Sequence, residues 1–189
     1  MGHDSKLWVT RWGWIMNEKV VSLTAKLSKE NYPTIERELK QVDSNILLLL
    51  VDGSSGRIAD VAGTYLVQRG ERELLKNAIL SNSLRTKRGR VVATNTLMSF
   101  GPTFGDLAEI LSTYINDRSI DVFSNVIFGI VMSQRYDYLE KFKRMRNETF
   151  DEKRRILLGD AIAAMEFRDP MSYSPGFVDS QNIWGLRPK

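Results

Sequence analysis

The chain has 189 residues, 42% hydrophobic and 26% charged, which is enough to bury a core and too apolar for a disordered polymer. It contains no cysteine and one histidine, His3, which excludes disulfides, thiolate nucleophiles and cysteine zinc sites and leaves no imidazole inside a fold for a Ser-His-Asp triad. Lys and Arg number 27 against 23 Asp and Glu, a net charge of +4, and so small an excess matters only where it is clustered.

The longest apolar run, residues 46–51, is far short of the ~20 residues that a spanning helix needs. Polar and aromatic residues alternate near the N-terminus, unlike a signal peptide. Lys6 stands where an N-myristoylation signal wants Ser or Thr. The expectation is a cytoplasmic protein with no transmembrane segment and no cofactor.

Residues 6–16 read KLWVTRWGWIM, and strand alternation puts Trp8, Thr10, Trp12, Trp14 and Met16 on one face. After a turn at Asn17-Glu18, Val21, Leu23, Ala25 and Leu27 alternate with Ser22, Thr24 and Lys26, which predicts a hairpin. Pro33 opens a short helix with Ile35, Leu39 and Val42 as its buried stripe. Residues 46–51 suit a strand buried on both faces, residues 57–68 a further strand with a bulge at Gly63, and residues 71–84 a helix. Residues 85–90 read as a basic loop and 91–98 as a strand.

Beyond Pro102 the pattern turns helical. Thr103 can cap a helix with Leu107, Ile110, Leu111 and Tyr114, and Asp117 or Ser119 can cap a long helix reaching about Arg146. Its first half is apolar nearly all round, as in a helix that crosses a core. Thr149 and Glu152 form a capping box for a last helix ending near Phe167, stopped by Asp169-Pro170. Tyr173, Phe177 and Trp184 read as anchors of an irregular tail. The order predicts a single α+β domain over 1–189: an antiparallel β-rich half with two helices over 6–100, a helical half over 103–167, and a tail over 168–189.

Two basic clusters are the candidate sites for an anionic partner. The first is Arg85, Lys87, Arg88 and Arg90, with no acid among them, a pattern able to follow phosphates. The second is Lys141, Lys143, Arg144 and Arg146 with Lys153, Arg154 and Arg155, preceded by Arg135. Acids are interleaved there, so a salt-bridged helix surface is an equal reading. Trp8, Trp12 and Trp14 form a candidate partner interface, since aromatics are enriched where surfaces are buried.

The run Asp52-Gly53-Ser54-Ser55-Gly56, following an apolar stretch, resembles the metal-binding strand end of von Willebrand A-type domains. That family expects a third hydroxyl where Gly56 stands, and the alternating α/β pattern does not continue, so the run reads as a tight turn. The carboxylate pairs Asp52 with Asp60, Asp106 with Glu109 and Asp117 with Asp121 could serve a metal-assisted enzyme, yet each has an ordinary reading as turn, helix N-terminus or cap.

The leading expectation is a non-enzymatic basic protein that binds RNA or an anionic membrane surface, forms homo-oligomers, and is of viral matrix or nucleocapsid type. The alternatives are a metal-assisted enzyme using Asp and Glu, and a protein–protein adaptor. An exposed apolar face without a contiguous positive groove would favour the adaptor.

Overall fold

The computed structural model describes residues 18–99 and 106–173. Among them there are ten α-helices, two short 3-10 turns and no β-strand. The expected α+β fold with a β-rich half is therefore corrected to an all-α one. The first helix, α1, is described over residues 18–27. It is followed by α2 (Tyr32–Leu39), α3 (Ser44–Gly53), α4 (Gly56–Gln68), α5 (Arg72–Leu80), α6 (Lys87–Ser99), α7 (Leu107–Ser112), α8 (Ile120–Met132), α9 (Leu139–Glu148) and α10 (Glu152–Glu166). The chain forms two compact units, Met1–Thr96 and Leu97–Lys189, with the boundary inside α6.

The expected strands at 20–27, 46–51, 57–68 and 91–98 are α1, α3, α4 and α6. Their burial explains the misreading. In α3 the buried residues are Ile46, Leu47, Leu50 and Val51, while Leu49 is exposed. This i, i+1, i+4, i+5 face belongs to a helix, but six apolar residues in a row conceal it. In α1 the buried residues are Val20 and Leu27, and Val21 is exposed, so the apparent alternation was not the one that packing used. In α6 the run Val91-Val92-Ala93-Thr94 looks like a strand because β-branched residues favour strands. Their helix penalty is only a few tenths of a kcal/mol each, about what tertiary burial readily overrides. The tryptophan stretch at 6–16 lies outside the described residues.

Local signals set the helix starts. Asn31 accepts a hydrogen bond from the Thr34 amide at 3.1 Å, Asp43 from Asn45 at 2.9 Å and Asp151 from Arg154 at 3.2 Å. Ser119 caps α8, and Asp151 rather than Thr149 caps α10. Gln134 adopts a positive φ of 54° directly after α8, which ends the helix and divides the expected long helix into α8 and α9.

In the first unit α3 and α4 pair, α4 packs on α2 and α5, and α3 reaches α5. The core holds Leu27, Ile35, Leu39, Leu47, Leu50, Ile58, Leu66 and Ile79. In the second unit α8 packs on α7 and α10, and α10 on α9. Phe123, Val126, Ile127, Phe142, Leu157 and Leu158 fill its core. Tyr173 is also buried, against the Phe128 ring at a centroid distance of 6.0 Å, as expected of an anchor; Phe177 and Trp184 lie outside the described residues.

One side chain at the end of α4 fastens the end of α2 and the loop that follows it. Arg69 donates to the carbonyls of Val42 (2.6 Å), Lys40 (2.7 Å) and Leu39 (3.2 Å). The C-terminal carbonyls of α2 have no partner within their own helix, and the guanidinium fork supplies it. Arg69→Ala is expected to lower stability by about 2–3 kcal/mol, the value of hydrogen bonds from a charged donor. Arg69→Lys should recover less than half of this, because a single ammonium cannot span the same fork. Chemical denaturation checks both, and an unchanged midpoint for Arg69→Ala would refute the clamp.

Candidate functional site

The stretch expected to be a basic loop is the N-terminus of α6. Its amides are held by an acid from the end of α3. The Asp52 carboxylate accepts from the Arg85 amide at 3.0 Å and the Thr86 amide at 2.9 Å. The Thr86 hydroxyl lies 2.6 Å from the Asp52 carbonyl oxygen and accepts from the Gly89 amide at 2.9 Å. Thr86 is thus the N-cap of α6 and Asp52 extends the cap. The Asp52-to-Gly56 run is the junction between α3 and α4. Its acid serves a helix end, and the likeness to a metal-binding strand end goes no further because no strand is there.

This arrangement fixes where the cations of the first cluster stand. Lys87, Arg88 and Arg90 sit in the first turn of α6, where the helix dipole disfavours positive charge, and the Asp52 carboxylate opposes that. Arg90 turns back on its own loop and donates to the Arg85 carbonyl at 3.1 Å. Arg88 lies over α4, its guanidinium 2.6 Å from where a Cβ on Gly56 would stand. It faces Asp60, whose carboxyl is pushed above the usual range by loss of surrounding water, with Arg88 pulling the other way. Arg85, Lys87 and Arg88 are exposed, and Arg90 is half-buried.

The second cluster is also partly committed. Lys143 pairs with Glu140 at 3.1 Å and Glu166 at 3.0 Å. Arg154 pairs with Asp151 at 3.7 Å, donates to the Asp117 carbonyl and lies over the Phe123 ring at 4.6 Å. Lys141 lies over the Tyr138 ring at 5.4 Å. Arg135 bridges Asp137 at 2.8 Å and Glu109 at 3.3 Å, and it holds the Asp137 carboxyl below the usual range. Arg144, Arg146, Lys153 and Arg155 are exposed with no ion pair to a described residue. Of these, Arg146 and Arg155 line one hollow of about 480 Å³, but Glu152 and Asp160 line it too.

The units also divide the charge unevenly. Residues 18–96 carry thirteen Lys and Arg against nine Asp and Glu, and residues 97–173 carry ten against twelve. The longer basic cluster therefore sits in a unit whose described part is net acidic.

The carboxylate pairs are equally dispersed in role. Asp52 caps α6, Glu109 pairs with Arg135, and Asp117 accepts from the Ser119 amide at 2.8 Å. Among the described residues there is no group of three or more His, Cys, Asp or Glu able to hold a metal ion. No helix there is long and apolar enough to cross a membrane.

The feature that the sequence reading missed is an apolar surface on the first unit. A groove of about 810 Å³ runs between α1 and α3 and ends at the segment before α6; its lining includes Val20, Thr24, Leu48, Leu49, Leu84 and Arg85. In its lining Val21 is 63% exposed and Leu49 42%, and beside it Leu80 on α5 is 49% exposed. A second hollow, lined by Leu48, Leu74 and Leu80, continues the surface across α5. The α1 residues that line the groove, Val20, Val21, Thr24 and Ala25, with Ser28 just beyond the helix, follow helical spacing, a signal that became visible only once the segment was known to be a helix. The candidate interface at Trp8, Trp12 and Trp14 lies outside the described residues.

Among the described residues, fold and site together define an all-α helical scaffold with an exposed apolar face. No protein-family model matches the chain, and no curated protein or solved structure matches it either. The α+β description is overturned by the helices, and the RNA-binding and viral-structural descriptions draw no support from any similar protein.

The Asp52 cap carries its own test. A Cβ on Gly89 would stand 2.8 Å from the Asp52 Cα, closer than the backbone permits. Asp52→Ala should cost about 1–2 kcal/mol, as for a lost N-cap, and Gly89→Ala about 1–3 kcal/mol by overpacking. Hydrogen exchange at the Arg85, Thr86 and Gly89 amides should quicken in Asp52→Ala; unchanged exchange there would disprove the cap.

Proposed function

We propose that the protein is a non-enzymatic adaptor that binds another polypeptide through the apolar face of α1, α3 and α5. The observation that carries this reading is the groove of about 810 Å³ flanked by exposed Val21, Leu49 and Leu80. Contiguous apolar surface of this kind marks interaction sites, and two helices with a channel between them suit an amphipathic segment that presents apolar residues at i, i+3 or i+4. A second copy of the chain is one form such a partner can take. A cytoplasmic setting accords with the absence of cysteine.

A second reading, binding of an anionic partner, is favoured by Arg146 and Arg155 at one hollow with exposed Arg144 and Lys153 on the same two helices. It is the weaker of the two, because acids line the hollow, and in the first basic cluster Arg90 bonds its own loop and Arg88 lies over α4 beside Asp60.

A photo-crosslinking residue at position 49 tests the choice. Discrete protein adducts are expected, and they should disappear in Val21→Glu; a crosslinker at exposed Glu73 should give none of them. No discrete adduct at position 49, joined with salt-sensitive binding of a homopolymeric RNA that Arg146→Ala/Arg155→Ala abolishes, would reverse the preference.

A further inference from the structure

We propose that the turn between α9 and α10 is a contact for an anionic membrane surface, with the Phe150 ring entering the lipid and the neighbouring cations meeting the headgroups. The inference rests on the second reading above, an anionic partner at these two helices, and names that partner's chemistry. It is independent of the groove on the first unit.

Three residues, Thr149, Phe150 and Asp151, join the end of α9 to the start of α10. The two helices pack on each other, and so short a link makes them antiparallel neighbours. Lys143 reaches Glu166 across the pair, and Arg146, one turn nearer the link, lies against Gly159. The link is therefore the end of a helical hairpin, and there Phe150 is 100% exposed. Single exposed apolar residues are ordinary; the surroundings set this one apart. Arg144 and Arg146 stand near the end of α9, and Lys153 and Arg155 stand in the first turn of α10. All four are exposed, with no ion pair to a described residue. Residues 144–155 carry five Lys and Arg against three Asp and Glu, and Asp151, one of the three, is engaged by the Arg154 amide and side chain.

The same features favour lipid over other partners. Phe167 and Met171, the other strongly exposed apolar residues of this unit's described part, lie beyond the far end of α10, about 22 Å away at ~1.5 Å per residue. Phe150 thus belongs to no contiguous apolar patch of the kind a protein partner covers. A bilayer interface admits one isolated ring without a preformed pocket. Single-strand binders stack successive bases on several rings, and this turn has one. No described helix is long and apolar enough to cross a membrane, so the contact is with the surface. One inserting side chain together with a basic patch is the two-signal arrangement that surface binding requires. The hollow beside the turn has Arg146 and Arg155 for a phosphate, and Glu152 and Asp160 in its lining suit a headgroup that carries an ammonium as well, as phosphatidylserine does.

The test uses the full chain and vesicles of phosphatidylcholine with or without phosphatidylserine. Co-sedimentation with the mixed vesicles is expected, with little on phosphatidylcholine alone and a loss as salt rises. Phe150→Asp and Arg146→Ala/Arg155→Ala alter exposed side chains and should leave the circular dichroism spectrum unchanged. Each should weaken vesicle binding about tenfold, the scale of one partly inserted ring or of two cations near an anionic surface. The chain has no cysteine, so Phe150→Cys accepts a single environment-sensitive fluorophore. Its emission should shift to the blue on the mixed vesicles, while the same label at Glu73→Cys on the first unit should not respond. Failure to bind the mixed vesicles would overturn the proposal. So would binding that Phe150→Asp leaves intact with the label at 150 still in water, or a blue shift that needs only more protein and no vesicle, the mark of a second copy. The two levels are separable: salt-sensitive binding of a homopolymeric RNA through Arg146 and Arg155 without vesicle binding would keep the anionic reading and reject the membrane, and binding to neither would reject both.

Discussion

The first unit depends on how its helix ends are satisfied by other helices. A helix leaves amides at one end and carbonyls at the other without partners, and short helices have proportionately more of them. Asp52 from the end of α3 takes up amides at the start of α6, and Arg69 from the end of α4 takes up carbonyls at the end of α2. Each joint links residues about thirty positions apart. Each also demands close approach, which is why Gly89 has no room for a side chain beside Asp52. Removing either charged group would leave polar backbone facing a partner that cannot bond it.

This requirement explains where the basic residues went. A cluster such as Arg85 to Arg90 reads as a surface for anions when only its composition is known. In the fold, one arginine of the four bonds its own loop and another covers Gly56 beside Asp60. In the second unit Arg154 fastens the start of α8 through the Asp117 carbonyl and the Phe123 ring, and Lys143 joins α9 to α10 through Glu166. Positive charge here is partly a fastening between helices. Partly exposed pairs of this kind add little stability individually, yet each removes a cation from the pool that could meet a phosphate.

The apolar face of α1, α3 and α5 follows from the same economy of short helices. Each of these helices has a buried side and at least one exposed apolar residue, Val21, Leu49 or Leu80. In α3 the buried row is Ile46, Leu47, Leu50 and Val51, and the second row is Leu48 and Leu49. A run of six apolar residues is more than one face of a helix can bury. The excess is the structural origin of the groove, and it is the reason for placing function on this side of the first unit.

The helical character of the second half was legible, although one expected helix is two, α8 and α9. Apolar positions over α7, α8 and α10, together with the cap residue Ser119 and the stop at Asp169-Pro170, leave little choice of period, while the cap of α10 is Asp151 where Thr149 was expected. The first half carried cap signals as well, Asp43 before α3 and Thr86 before α6, but short apolar or β-branched runs satisfy strand and helix patterns equally. Composition by itself determined that the chain offers no cysteine and a single histidine and that it has apolar residues enough for a core, because those depend only on which side chains are present. Whether 46–51 and 91–98 coil or extend, and whether a given arginine meets solvent or a carbonyl, was decided by tertiary structure alone. Those outcomes turn on partners distant in sequence, and a local pattern holds no information about what will be packed against it.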